Sequence, residues 1–114
     1  MHELGIVFHV IKQVEEIAAE NKVSHVDDVC VQIGEVTGVV PEYLQDCWKW
    51  AVEKHEIMIG CTLTVEPIKA VTHCDGCGRD YPTLLTGKTC PFCGSGETWL
   101  AAGNEFMIKD ITVT

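Results

Sequence analysis

Cys74-Asp75-Gly76-Cys77-Gly78 and Cys90-Pro91-Phe92-Cys93-Gly94 are two Cys-x2-Cys knuckles. They lie about a dozen residues apart, the spacing that lets four thiolates close on one metal ion. Small and ring-constrained residues at each knuckle let the backbone turn tightly enough for both sulfurs to reach that ion. Four thiolates in a tetrahedral array select zinc first and iron second. The stretch decides the fold because residues 72–99 hold few large apolar side chains. A bound ion must therefore supply much of the folding free energy there, on the order of 10 kcal/mol or more for structural zinc.

Outward from the knuckles the chain changes character. From Glu3 to about Asn21, Leu4, Val7, Val10, Ile11, Val14, Ile17 and Ala18 recur at three and four residues, with Lys12, Gln13, Glu15, Glu16 and Glu20 opposite. That pattern predicts an amphipathic helix. Val29, Val31 and Ile33 alternate with Cys30 and Gln32, a strand with one buried face that stops at Gly34 to Gly38. Pro41 and Glu42 open a second helix, with Leu44, Cys47, Trp48 and Ala51 as its core stripe and Gly60 as its end. Leu63 and Val65 mark a second strand that stops at Pro67; Phe106 to Val113 reads as a third, in which Phe106 and Ile108 are out of phase with Ile111 and Val113. The expected class is α+β: a three-stranded sheet covered on one face by two helices, with an inserted four-cysteine zinc-ribbon module. Residues 1–71 plus 100–114 would form the α+β domain and 72–99 the zinc-binding module.

The 114 residues contain seven cysteines, an odd count, with no signal-peptide pattern and no apolar run of membrane-spanning length. This points to a reducing cytoplasm rather than a secreted disulfide scaffold. Cys30, Cys47 and Cys61 fall within apolar stripes and read as small buried hydrophobes. The formal net charge is -9, and a filled zinc-thiolate site takes it to about -11. Near the knuckles the cations are Lys69, Arg79 and Lys88, too few for a nucleic-acid-binding stripe. Neither nucleic acid nor membrane is an expected partner.

Met1-His2-Glu3 is a second candidate site. An α-amine, the next amide nitrogen and the His2 ring can chelate one ion, a nitrogen-rich planar set that suits Ni(II) or Cu(II) better than zinc. The fourth donor is open: Glu3 through its amide or carboxylate, a water, or a residue from elsewhere. Glu3 also has a plainer role, since a carboxylate in the first turn stabilises a helix. His9 lies two turns beyond His2, too far along the axis to share an ion; His25 and His55 read as surface positions at element ends. His73 precedes a thiolate and could hydrogen-bond a ligand or sense pH. Hydrolytic catalysis has little support, because a four-cysteine site leaves no open coordination position for water and no cysteine, serine or histidine stands in a recognisable nucleophile motif.

Taken in order, several of these features resemble the hydrogenase nickel-insertion accessory family of the HypA/HybF type. They are the Met1-His2-Glu3 start running into a helix, Ile33-Gly34-Glu35 after the first strand, Pro41-Glu42-Tyr43-Leu44, the paired knuckles, and Gly103-Asn104-Glu105 before the last strand. The resemblance spans essentially the whole chain. It implies a nickel metallochaperone, not an enzyme, that works with a nickel-handling GTPase to load Ni(II) into the large subunit precursor of a [NiFe]-hydrogenase. It further implies His2 as the principal nickel ligand, Met1 and Glu3 as supporting donors, and structural zinc on Cys74, Cys77, Cys90 and Cys93. The competing readings are a rubredoxin-like electron-transfer module and a zinc-stabilised protein-interaction adaptor.

Overall fold

A computed structural model describes residues 3–114, in the order α1 (Glu3–Glu20), β1 (Val26–Gly34), α2 (Pro41–Val52), β2 (Thr62–Ile68), β3 (Val71–Cys74), β4 (Asp80–Pro82), α3 (Thr83–Thr86), β5 (Thr98–Ala102) and β6 (Phe106–Val113). The described chain divides into two units, residues 3–32, 38–66 and 107–114 in one and 33–37 with 67–106 in the other. Each contributes a three-stranded sheet, in the orders β2-β1-β6 and β4-β3-β5.

In the first unit α1 buries Val7, Val10, Ile11, Val14 and Ala18 of the expected stripe, while Leu4 and Ile17 at its two ends stay exposed, and it rests on α2, which buries Leu44, Trp48, Ala51 and Val52. Trp48 is buried and its indole N–H donates to the Cys61 carbonyl at 2.9 Å, so the largest core side chain leaves no polar atom unpaired. Helix α2 ends at Val52, short of Gly60. The Lys54 and His55 N–H groups turn back to the Ala51 and Val52 carbonyls, tightening the end, and a 3-10 turn at Glu56–Met58 follows.

Strand β1 departs from the one-faced reading: Cys30 is buried along with Val29, Val31 and Ile33. The reason is its central position, because the neighbouring strands cover the second face with a polar lattice. Lys109 Nζ on β6 lies 2.6 Å from Glu66 Oε2 on β2, and Gln32 on β1 donates to Glu66 Oε1 at 3.0 Å. Further along, Asp28 accepts from Thr62 and Thr64 at 2.6 and 3.0 Å. Strand β2 runs through Pro67 to Ile68; as an edge strand it loses no ladder bond to a missing N–H. In β6 the half-buried positions are Phe106, Ile108 and Ile111, so the alternation does change phase.

In the second unit β3 is central, antiparallel to β4 and to β5, with an irregularity between Val71 and Thr72. Here Ile33-Gly34-Glu35 and Gly103-Asn104-Glu105 prove to be one structure. Gly34 N–H donates to Glu105 O at 2.8 Å, Val36 N–H to Gly103 O at 2.9 Å, and Ala70 N–H to the Glu35 carboxylate at 2.8 Å. A Cβ at Gly34 would lie 2.0 Å from Gly103 O, and one at Gly103 would lie 2.4 Å from Ala70 Cα. Gly103 also has φ +114. Both glycines are required by backbone approach, which the motifs alone did not reveal.

Candidate metal centre

The two knuckles fold alike. Cys74 N–H donates to Arg79 O and Gly78 N–H to Cys74 O, at 2.9 and 2.8 Å; Cys90 N–H donates to Ser95 O and Gly94 N–H to Cys90 O, at 3.0 and 2.9 Å. The fifth residue of each loop has positive φ, +76 at Gly78 and +74 at Gly94, which is why glycine stands there twice. Strand β3 delivers Cys74 at its end, and the β3–β4 hairpin delivers Cys77. Around them the buried cluster is Cys74, Tyr81 and Cys90, with the Tyr81 hydroxyl donating to Gly87 O at 2.6 Å.

The four Sγ atoms lie within 4.8 Å of one another, with Cys74–Cys93 at 3.6 Å and Cys77–Cys90 at 3.7 Å. A regular tetrahedron with metal–sulfur bonds of about 2.3 Å has edges of about 3.8 Å. The donor set therefore fits a closed tetrathiolate ion. Backbone N–H groups point at the sulfurs: Arg79 at Cys77, Phe92 and Cys93 at Cys90, Ser95 at Cys93. Burial pushes Cys90 up, yet the N–H donors and the neighbouring thiols outweigh it and bring it down to about 7. For Cys93 the Ser95 N–H pulls down, but burial and three neighbouring thiols carry it up to about 11. Cys90 thus loses its proton readily while Cys77 and Cys93 are held protonated, so binding an ion releases protons and tightens as pH rises.

His73 stays outside the sulfur cluster. Its Nδ1 lies 2.6 Å from Asp80 Oδ1 and its Nε2 3.6 Å from Asp75 Oδ1, and its ring tilts against Trp99 at 5.3 Å. Cys61 is buried and its thiol is pushed up to about 11 by that burial, then by Asp28 and Asp27. Burial likewise raises Cys30, and Cys47 is half-buried on α2. Glu3 sits in the first turn of α1, where Oε2 accepts the Val40 N–H at 3.4 Å. Met1 and His2 lie outside the described residues.

The arrangement defines a class: an α+β protein with a four-cysteine cluster whose spacing fits one metal ion. The family model described as hydrogenase/urease nickel incorporation, metallochaperone, hypA matches residues 1–113. The Hydrogenase maturation factor HypA of Chlorobium phaeobacteroides (strain BS1) is 34% identical over 116 residues, covering 99% of each chain. That of Geobacter sp. (strain M21) is 33% identical over 111 residues, covering 97% of each. In fold, the solution structure of the Ni metallochaperone HypA from Helicobacter pylori matches 99% of this chain and 97% of its own with a TM-score of 0.73, at 24% identity. The chain belongs to the HypA family of nickel-incorporation metallochaperones. Among the described residues no helix is long and apolar enough to cross a membrane.

Proposed function

We propose that this chain carries Ni(II) to the large subunit precursor of a [NiFe]-hydrogenase, in concert with a nickel-handling GTPase. The observation that carries the reading is the family match over residues 1–113. A closed sulfur cluster supports the division of labour, because four thiolates with no open corner suit an ion that stays. Cys74, Cys77, Cys90 and Cys93 would hold Zn(II), which when bound supplies a structural cross-link. The cargo is taken by His2, with the Met1 amine and Glu3 as supporting donors. The zinc module is assigned to 72–99 and nickel handling to 1–71 with 100–114.

The work is handover, with no bond-breaking chemistry on a substrate. Ligands at a chain terminus are few and exchangeable one at a time, as transfer to an acceptor requires. Their amine, amide and imidazole must lose protons to bind, so nickel affinity falls steeply below neutral pH. A cytoplasmic location fits the reduced thiols. Urease is the other destination in the family's description.

The test is metal analysis and nickel titration of untagged protein. His2→Ala, and a variant with residues added before Met1, should lose nickel while keeping zinc. Nickel retained in His2→Ala and lost on removal of a knuckle cysteine would overturn the reading. A red preparation containing iron, bleached by dithionite, would favour electron transfer instead.

A further inference from the structure

We propose that Arg79 and Phe92 form a latch beside the Cys77–Cys90 edge of the metal centre, leaving Cys93 as the sulfur that outside reagents and competing ligands reach first. The inference rests on zinc occupying the four thiols. Each knuckle is closed by its own backbone bonds, so those bonds do not hold one loop to the other. Arg79 is the second residue after Cys77, and its N–H faces that sulfur. Phe92 is the second residue after Cys90 and donates to Cys90 Sγ at 3.4 Å. These two sulfurs are 3.7 Å apart. The side chains of the same two residues meet, with the guanidinium carbon 4.9 Å from the ring centroid. A cation over an aromatic face thus joins the loops where their sulfurs come together.

The other side of the centre is built differently. Cys74 and Cys90 are buried, whereas Cys77 and Cys93 are exposed residues, the two of the four that stand toward solvent. The second residue after Cys93 is Ser95, a small side chain whose hydroxyl accepts the Glu97 N–H at 3.0 Å. It leans toward Gly76, where a Cβ would come within 3.0 Å of it. No long side chain stands at Cys93 in the position that Arg79 holds at Cys77 and Phe92 at Cys90. On this proposal a reagent at Cys77 has to displace or pass the latch, whereas the residue that corresponds to Arg79 and Phe92 at Cys93 is a serine.

The experiment uses full-length protein whose zinc content is measured first. It is labelled with limiting N-ethylmaleimide and the cysteines mapped by mass spectrometry, while zinc release to a chromophoric chelator is followed. In the wild type Cys93 should be labelled well ahead of Cys77. In Phe92→Ala or Arg79→Ala, Cys77 should rise to the rate of Cys93 and zinc release should speed about two- to five-fold, the range of an exposed cation–π contact. The double variant should add nothing to either single one, and Phe92→Tyr should behave as wild type. Equal labelling in the wild type, unchanged variants or additive effects would overturn the latch. Protein without zinc would overturn the zinc reading and this inference with it, whereas bound zinc with Cys77 leading overturns the latch alone.

Discussion

The two units are ordered by different means. The first buries Val7, Val10, Ile11, Val14, Leu44, Trp48, Ala51 and Val52 between its helices and beneath its sheet. The second has a buried cluster of Cys74, Tyr81 and Cys90, two of which belong to the four-cysteine cluster. What apolar contact does in one unit, sulfur must do in the other. Such a small cluster cannot offset the conformational entropy of ordering the loops around it without a further source of free energy. A metal ion held by the four sulfurs would be such a source.

The sharpest way to break the comparison is to take the metal away. Strong chelation, or Cys90→Ser, should collapse the amide resonances of 71–102 while those of α1 and α2 keep their dispersion. The effect is on the order of 10 kcal/mol in the second unit. Joint collapse of both sets of resonances would mean that the units do not have separate sources of stability. The mirror-image change is Trp48→Ala, which empties a buried site and leaves the Cys61 carbonyl without its indole donor. It should cost about 3–5 kcal/mol in denaturant unfolding of the first unit and leave zinc content unchanged. A smaller cost falls on the knuckles. Gly94 at φ +74 has open space for a Cβ, so Gly94→Ala tests backbone strain alone. About 1–2 kcal/mol, or roughly tenfold in zinc affinity, is expected from competition with a chelator of known strength.

How far the sequence could be read follows from the same contrast. The stripe of α1 was legible because its spacing is set by helix geometry. The four cysteines were legible because metal ligation demands their spacing. The thiol of Cys30 was rightly read as buried, but the one-faced reading of β1 failed there, because alternation describes a strand with one covered face and nothing local says that Glu66 and Lys109 will meet across it from strands more than thirty residues away in sequence. Pro67 read as a stop because sequence does not say which strand lies at an edge. The end of α2 was missed for a subtler reason: nothing in Glu53 to Ile59 forbids a helix, and the chain turns only when Lys54 and His55 bond to nearer carbonyls. Gly34 and Gly103 could be quoted as motif residues, but their purpose is a backbone approach between segments about seventy residues apart.

The smallest effect is a dependence on pH confined to the first unit. His25 Nδ1 lies 2.8 Å from Asp27 Oδ1, and Nε2 lies 2.8 Å from the Ile59 carbonyl oxygen. A neutral imidazole has one N–H and can satisfy only one of these acceptors, whereas the imidazolium satisfies both. The Ile59 carbonyl first, and the Asp27 carboxylate next, therefore raise the His25 pKa above its ordinary value. A folded-state pKa above the unfolded one gives stability that is fully present below about pH 6.5 and is lost as pH rises through the folded value. Asp27 behaves in the opposite sense: the Thr114 hydroxyl and then His25 hold its carboxyl below the usual range. Its contribution is present above the ordinary carboxylate range and lost as pH falls through the depressed value. The melting temperature of the first unit should thus decline on going from about pH 6 to about pH 8, by a modest amount because water screens these partly exposed groups. His25→Gln should flatten that slope, and an NMR titration should place the wild-type ring above the free-histidine value. A slope of equal size in the variant would move the pH dependence elsewhere, and with it the claim that this network ties the start of β1 to the loop before β2.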